Sequence, residues 1–433
     1  MRNFTMARIV MKFGGTSVAN LERIRHVSRL VEAEVKDGNE VAVVVSAMSG
    51  ETNRLVALVD ELDADRIGSE DMHGGAIEDE YDSIVATGEQ VTSGLLSIAL
   101  RRRGIKARSW LGWQIPLRTD MAHSKARIAE IESSAIGPSL EAGNLAVVAG
   151  FQGVNDTGRI STLGRGGSDT SAVALAVALK ADRCDIYTDV DGIYTTDPRI
   201  AKDARRLNRI AFEEMLELAS LGAKVLQTRS VELAMNNNLP IRVLTSMADV
   251  GEANPGTLVC NEDETMEERV VSGVAYSRDE AQITLLRLAD KPGMVARVCR
   301  AMSEANVIVD MIVQGISKAD TAANLTFTVG KRDLEKALKA LEADKDAIGF
   351  EGIKSTDEVT KVSVVGIGMR SHTGVAQTMF EALAERNINV KVIATSEIKI
   401  SVLIDAEYTE LAVRALHSAF ELHEAAPLKV TAP

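Results

Sequence analysis

From Ala7 to about Val259, short runs of apolar, β-prone residues alternate with longer stretches whose apolar positions recur every three or four residues. The runs "RIVMKFG", "EVAVVVSAMS", "LAVVAGF", "CDIYTDV" and "PIRVLTS" have the near-continuous hydrophobicity of strands buried on both faces. "LERIRHVSRLVEAEVKDG" reads as an amphipathic helix with Gly38 just past its end. Strands of this kind joined by crossover helices predict an α/β domain with a mainly parallel central sheet between helices. The alternation stops in "DVGEANPGTLVCNEDETMEER" (249–269), where turn formers and acidic residues collect, and a domain boundary is expected inside it.

Beyond that boundary the chain repeats itself. "GMVARVCRAMSEANVIVDMI" from Gly293 aligns without gaps to "GVAQTMFEALAERNINVKVI" from Gly374, and each stretch is followed by another strand and helix pattern. Each copy therefore predicts a small βαββαβ unit, with Asn306 and Asn387 at helix ends. The expected organisation is an α/β domain at 1–262 and two repeat domains at 270–352 and 353–433. Gly366-Ile-Gly368 follows a strand, but its spacing to Gly374 does not fit a dinucleotide fingerprint, so an ordinary loop is expected there.

Length and charge narrow the function. A chain of 433 residues predicts two or three domains, and a net charge of −13 disfavours a general nucleic-acid or anionic-membrane surface. Cys184, Cys260 and Cys299 have neither even number nor C-x-x-C spacing, which fits a reducing cytoplasm rather than a disulfide framework or a zinc site. The first residues lack a signal-peptide core and no stretch reaches membrane-spanning length, so a cytoplasmic location is expected.

The candidate chemistry lies in the loops after the strands. In "VMKFGGTS", Lys12 ends a strand, Gly14 and Gly15 let backbone amides approach an anion, and Thr16 and Ser17 are expected to cap the next helix. A lysine point charge beside such amides suits a phosphoryl transition state, although the order is not that of a Walker loop. In "TLGRGGSDTSA", Gly164, Gly166 and Gly167 let backbone amides face an anion, Arg165 offers a fork for a carboxylate, and Ser168 or Asp169 is expected to cap a helix. Asp169 can also fix a lysine in place. Glu89, near a helix start in "TGEQV", is either stabilised by the helix dipole or set to meet an ammonium group. "SAMSGETN" lies after the second strand, where open α/β sheets place their ligand crevice. "YTDVDGIYTTDPR" could line a nucleotide pocket, with Arg199 on phosphate and Tyr194 near the base or ribose, and Lys224 follows Gly222 beside a helix start. That acidic loop lacks the spacing of a calcium-binding hand, so divalent metal is expected to come with a nucleotide.

Taken in order, "KFGGTS", "TGEQV", "RTD" (Arg118–Asp120), "GFQG", "TLGRGGSD", "TDVDGIYTTDPR" and "GAKVLQTRSVELA" resemble the signatures of the aspartate kinases within the amino-acid kinase family. The resemblance covers nearly the whole chain, because the two repeats are similar to ACT domains, which are amino-acid-sensing modules. It implies transfer of the ATP γ-phosphoryl group, with Mg²⁺, to the β-carboxylate of L-aspartate, the entry to lysine, threonine and methionine synthesis. By motif, Lys12 and Asp169 would be catalytic, and Thr52, Glu89, Phe151, Arg165 and Ser168 would surround aspartate. Lys12, Gly14, Gly15, Thr188, Asp189, Tyr194, Arg199 and Lys224 would face ATP, with no dedicated metal ligands in the chain.

The same resemblance implies feedback inhibition by lysine, threonine or both, with Asp290, Gln314, Asn389 and Ser396 as effector contacts. It also implies a homo-oligomer joined through the ACT pair, in a family where some members add a shorter ACT-only subunit. "SHTG" and "VQG" stand where the family often has "SHPG" and "LQN". A non-catalytic amino-acid sensor is disfavoured by the retained Lys12, Arg165, Asp169 and Lys224, and a nicotinamide oxidoreductase by the missing dinucleotide fingerprint.

Overall fold

The computed structural model describes residues 6–64, 77–115, 117–132, 134, 136–221, 225–262, 270–316, 322–370 and 372–424. The chain divides into two compact units, the first from Met1–Ile193, Arg206–Ala219 and Lys224–Met266, the second from Tyr194–Arg205, Ser220–Ala223 and Glu267–Pro433. Among the described residues, no helix is long and apolar enough to cross a membrane.

The first unit is built on an eight-stranded sheet in the order Arg209–Ala211, Thr257–Cys260, Ile241–Thr245, Arg183–Thr188, Arg8–Phe13, Glu40–Val45, Leu145–Ala149, Ala107–Trp110. All neighbours are parallel except Ile241–Thr245 with Thr257–Cys260. The apolar runs become strands because both their faces are covered: Val41 to Val45 are all buried. Helix Leu21–Lys36 turns Ile24, Val27, Ser28 and Val31 inward at helical spacing, and Gly38 follows with φ of 88°.

From Arg8–Phe13 the chain goes first to the neighbour on one side, Glu40–Val45, and later to the neighbour on the other, Arg183–Thr188. The switch point of the sheet therefore lies beside Arg8–Phe13, at the C-terminal ends of Arg8–Phe13 and Arg183–Thr188, which is where open α/β sheets place their ligands. Helix Gly167–Ala178 is buried on all sides along Gly167 to Ala176, which is why its sequence is alanine-rich and carries almost no charge. A smaller sheet, in the order Ile128–Ile131, Leu117–Thr119, Gln152–Val154, Ile160–Thr162, feeds directly into the glycine-rich loop before that helix.

The second unit holds a six-stranded antiparallel sheet in the order Val309–Ile316, Ala322–Val329, Gly273–Ala289, Gly352–Val365, Lys399–Asp405, Val392–Thr395. The repeat is visible in its backbone. Gly293 and Gly374 stand at the N-caps of helices Met294–Glu304 and Val375–Ala384 with φ of 94° and 97°, and Asn306 and Asn387 follow those helices with φ of 54° and 53°. Left-handed backbone explains why glycine and asparagine recur at these places.

The repeats share more than the expected division at 352/353 allows. Strand Gly273–Ala289 is 17 residues long, about 55 Å at the usual rise. Its first half puts Val274, beside Val271 just before the strand, in one core with Val362, Val364, Val402 and Leu416. Its second half puts Ile283 and Leu285 in another core with Val298, Phe327 and Leu341. Gly352–Val365 runs antiparallel to it across both cores. The second repeat thus draws a strand segment, Gly273 to Ser277, from within the 270–352 expected for the first, while the final strand expected for it falls in 425–433, outside the described residues.

This sharing is testable. Val274→Ala should cost on the order of 2 kcal/mol in its own core. Hydrogen exchange should then quicken in 375–384 and 409–419 more than in 294–304, whereas a partition at 352/353 predicts the reverse.

Candidate functional site

The centre of the first unit is an ion pair. Lys12, on the strand at the switch point, places Nζ 2.5 Å from Oδ1 of Asp169 in the first turn of helix Gly167–Ala178, and both residues are more than nine-tenths buried. A lysine at the end of a central strand, held by a carboxylate on a buried helix, is a fixed positive charge with little freedom to wander. Lys12 Nζ also lies 3.4 Å from where a Cβ of Gly14 would stand, so glycine leaves the ammonium room to reach over the turn.

The glycine-rich loop is shaped by its neighbours. Gly164 and Gly166 have φ of 77° and 72°, and a Cβ on Gly166 would sit 1.7 Å from Cγ of Gln227. The Gly167 amide, expected to face an anion, donates instead to Gly164 O inside the turn, and the Asp169 amide donates to Gly166 O. Gly166 itself is the N-cap, which leaves Ser168 and Asp169 within the helix and corrects their assignment as caps. Ser168 packs against Gly150, where a Cβ would come within 3.0 Å of the serine side chain. Phe151 takes φ of 68°, its N–H donating to Ser171 Oγ at 3.1 Å, and its ring covers Gly167. Arg165 is exposed on this loop.

The first loop departs from expectation in two respects. The helix is capped by Asn20, whose Oδ1 accepts from the Arg23 N–H at 2.9 Å. Ser17 is fully buried and donates instead to Ser246 Oγ at 2.8 Å. The Gly14 N–H donates to Tyr187 O at 3.3 Å and so serves the loop's attachment to the sheet. Gly15 meets the second-strand loop, with its Cβ position 3.1 Å from Ala47 O.

Glu89 carries the most unusual electrostatics of the unit. It is 3% exposed, and Oε1 accepts from the Ala47 N–H at 2.9 Å, while Oε2 is buried with no hydrogen-bond partner. Burial pushes its carboxyl up to about 7, against the lowering by the Ala47 and Glu89 amides. Gly88 is what lets the helix come this close, since a Cβ there would lie 2.7 Å from that of Ala47. Such a carboxylate suits a cation delivered by a ligand. Thr52 lies half-buried in the first turn of helix Glu51–Ala64.

Of the expected nucleotide contacts, Thr188 ends strand Arg183–Thr188, and its hydroxyl donates to the exposed Asp189 carboxylate at 3.1 Å. Tyr194 and Arg199 belong to the segment that packs with the second unit. There Arg199 is already paired with Asp197, Nη2 to Oδ2 at 2.7 Å. Lys224 lies outside the described residues. In the second unit Asp290 and Gln314 line one cavity of about 320 Å³ with Lys291 and Gly293, and Gln314 Nε2 donates to Asp290 Oδ1 at 3.3 Å. Asn389 and Ser396 are exposed in the other repeat.

Asp82 and His123 are the residues that motif reading missed. Asp82 is fully buried, and its carboxylate accepts from His123 Nδ1 at 2.9 Å, the Ser124 N–H at 2.9 Å, the Thr162 N–H at 3.0 Å and the Thr162 hydroxyl. Ser124 O in turn stands 3.2 Å from the Cβ position of Gly164. Asp82 thereby fixes the entry to the glycine-rich loop. The signal available in sequence is an acidic residue amid the apolar positions of "YDSIVATGEQV", seven residues before Glu89.

The amino acid kinase family model matches residues 7–245, and ACT domain models match 283–346 and 362–420. The chain is 52% identical over 419 residues to an aspartokinase of Pseudomonas aeruginosa, covering 96% of this chain and 98% of that protein. It is 43% identical over 417 residues to aspartokinase 2 of Bacillus subtilis, with the same coverage. The structure resembles E. coli aspartokinase III in complex with aspartate and ADP, at a TM-score of 0.75 and 28% identity over 95% of this chain and 99% of that one. It resembles the complex of the same enzyme with lysine and aspartate at a TM-score of 0.73 and 29% identity, with equal coverage.

Removing the buried acceptor should be costly. Asp82→Ala strands several buried donors and is expected to lower unfolding free energy by about 3 kcal/mol, with Asp82→Asn losing less because one oxygen remains. Urea unfolding of the two variants checks the order.

Proposed function

The chain belongs to the aspartate kinases of the amino acid kinase family, and from that premise we propose that the Lys12–Asp169 pair is the centre where the γ-phosphoryl group of ATP passes to the β-carboxylate of L-aspartate. A bond forms between a carboxylate oxygen and the γ-phosphorus as the bond from that phosphorus to the β,γ-bridging oxygen breaks. ADP leaves with the electron pair, and 4-phospho-L-aspartate is formed. No general base is needed, because a carboxylate is already nucleophilic at neutral pH; positioning and charge stabilisation suffice.

The observation that carries the reading is the short, buried contact between Lys12 and Asp169 at the switch point. Lys12 stabilises the charge on the transferring group, and Asp169 holds the ammonium in place. Glu89, with Oε2 buried and unpartnered, takes the substrate ammonium. Exposed Arg165 grips a substrate carboxylate, with Thr52, Phe151 and Ser168 shaping the space around it.

Thr188 and Asp189, with Gly14, Gly15, Tyr194, Arg199 and Lys224, serve ATP; for Arg199 this requires exchange of its Asp197 partner for phosphate. Asp189 is an exposed oxygen donor of the type that fits Mg²⁺, whereas Asp169 is already neutralised by Lys12. When bound with the nucleotide, Mg²⁺ neutralises phosphate charge.

The repeats supply regulation in this proposal. Lysine, threonine or both bind through Asp290, Gln314, Asn389 and Ser396 and favour a less active arrangement, and the repeats join subunits into an oligomer. E. coli aspartokinase III has been seen with lysine and aspartate, which supports an amino-acid effector for a chain of this family.

The direct test is acyl-phosphate formation from ATP, Mg²⁺ and L-aspartate, trapped with hydroxylamine, against L-glutamate as control and with lysine and threonine added singly and together. Arg165→Ala should raise the KM for aspartate by at least about tenfold, the loss of a charge-assisted contact, with ATP affinity little changed. Equal losses for both substrates would reassign the arginine. In a pH profile, kcat/KM for aspartate should fall below about pH 7 as Glu89 takes a proton and loses the charge that meets the ammonium, and Glu89→Gln should remove that inflection.

A further inference from the structure

The second unit gathers two imidazoles and a carboxylate that the kinase reaction does not use. One donor atom from each of Asp203, His417 and His423 lies within 4.8 Å of the others. Asp203 comes from the segment Tyr194–Arg205, His417 from the last turn of helix Thr409–Ala419, and His423 from the turn beyond it.

The arrangement resembles a coordination site more than a chance surface cluster. His417 is 1% exposed, and its Nε2 lies 3.0 Å from Thr195 Oγ1, which accepts the Arg205 N–H at 3.1 Å. A ring held at one nitrogen by an oriented oxygen is the usual support of a metal-binding histidine. Its other nitrogen, Nδ1, stands 3.7 Å from Asp203 Oδ1. That is too long for a hydrogen bond but close to the roughly 3.4 Å between two ligands of one tetrahedral ion with bonds of about 2.1 Å. The rings of His417 and His423 have centroids 6.4 Å apart and planes tilted by 39°, so they converge without stacking. The Asp203 and His423 side chains are 57% and 41% exposed, which leaves them free to close around an ion while His417 stays fixed.

We propose that Asp203, His417 and His423 form a three-donor site for a divalent transition metal of the zinc class, with water completing the shell. Two imidazoles with one carboxylate select zinc, cobalt, nickel or copper over magnesium and calcium, which prefer all-oxygen shells. The ion fastens the segment Tyr194–Arg205 to the end of the last helix of the second repeat, a link between parts of the chain far apart in sequence.

The test uses the full chain, treated with chelator and free of nucleotide, titrated with Co²⁺ and then Zn²⁺. One Co²⁺ per chain is expected, with the visible absorption of a four-coordinate ion, displaced by Zn²⁺. His423→Gln and Asp203→Asn should each weaken Co²⁺ binding by at least about tenfold. Both variants should keep kinase turnover, and Zn²⁺ should raise the melting temperature of the parent chain alone. No uptake by the parent chain would overturn the assignment. Uptake of equal affinity in both variants would do the same, by placing the ion elsewhere, for instance on the exposed Cys299 thiol.

Discussion

The 2.5 Å contact between Lys12 and Asp169 sets the terms for the rest of the first unit. Two opposite charges removed from water carry a desolvation cost that their attraction offsets only when the geometry is held closely, and loss of either partner would leave the other stranded. The surroundings enforce that geometry. The ammonium is anchored by a strand at the centre of an eight-stranded sheet, and the carboxylate by a helix buried along ten residues. Glycine stands where those elements approach most closely: Gly150 against Ser168, Gly167 against Phe151, Gly166 against Gln227. The glycine-rich loop is thus mainly a packing device that delivers Asp169 and Arg165, and only secondarily an exposed backbone surface.

Glu89 obeys the opposite logic. Where Asp169 is neutralised within the protein, Glu89 is buried with one oxygen committed to Ala47 and the other unanswered, so its charged form is disfavoured until a cation arrives. A site with one carboxylate satisfied and one waiting discriminates by charge. On the proposed assignment, Lys12 stays held by Asp169 while Glu89 awaits an ammonium group, and its burial-raised carboxyl would give up its proton as that cation binds. The neighbouring Asp82 is a third case, a carboxylate saturated by four donors that ties together the chain around 123–124 and 162, at the entry to the glycine-rich loop.

Features that depend on local chain chemistry were legible in the sequence. The parallel sheet follows from doubly apolar strands such as "EVAVVV", the repeat from its gapless alignment, and the placement of Lys12 at a strand end and of Glu89 at a helix start from the local pattern around each. What misled was detail that only tertiary contact decides. Ser17 has the chemistry of a cap yet bonds to Ser246, more than two hundred residues away, while Asn20 caps. The Gly14 and Gly167 amides looked available to an anion but are consumed by neighbouring carbonyls. Asp82 sits in no glycine-rich loop, and its partners at 123, 124 and 162 converge only after folding.

The sharing of strands between the repeats has a mechanical consequence. The cavity lined by Asp290 and Gln314 begins where strand Gly273–Ala289 ends, and the opposite end of that strand supplies a wall of the other repeat's core through Val274. A strand cannot slip by one residue without turning its buried face outward, so a ligand that shifts its end must either be resisted or move both cores together. Packed cores settle into discrete arrangements rather than deforming smoothly, because their side chains interdigitate at close to crystal density. Two gene-duplicated modules that merely touched could respond separately. Two modules threaded by the same pair of long strands are biased toward a joint response, and that coupling arises from the order in which the chain visits the sheet rather than from any residue that contacts the effector.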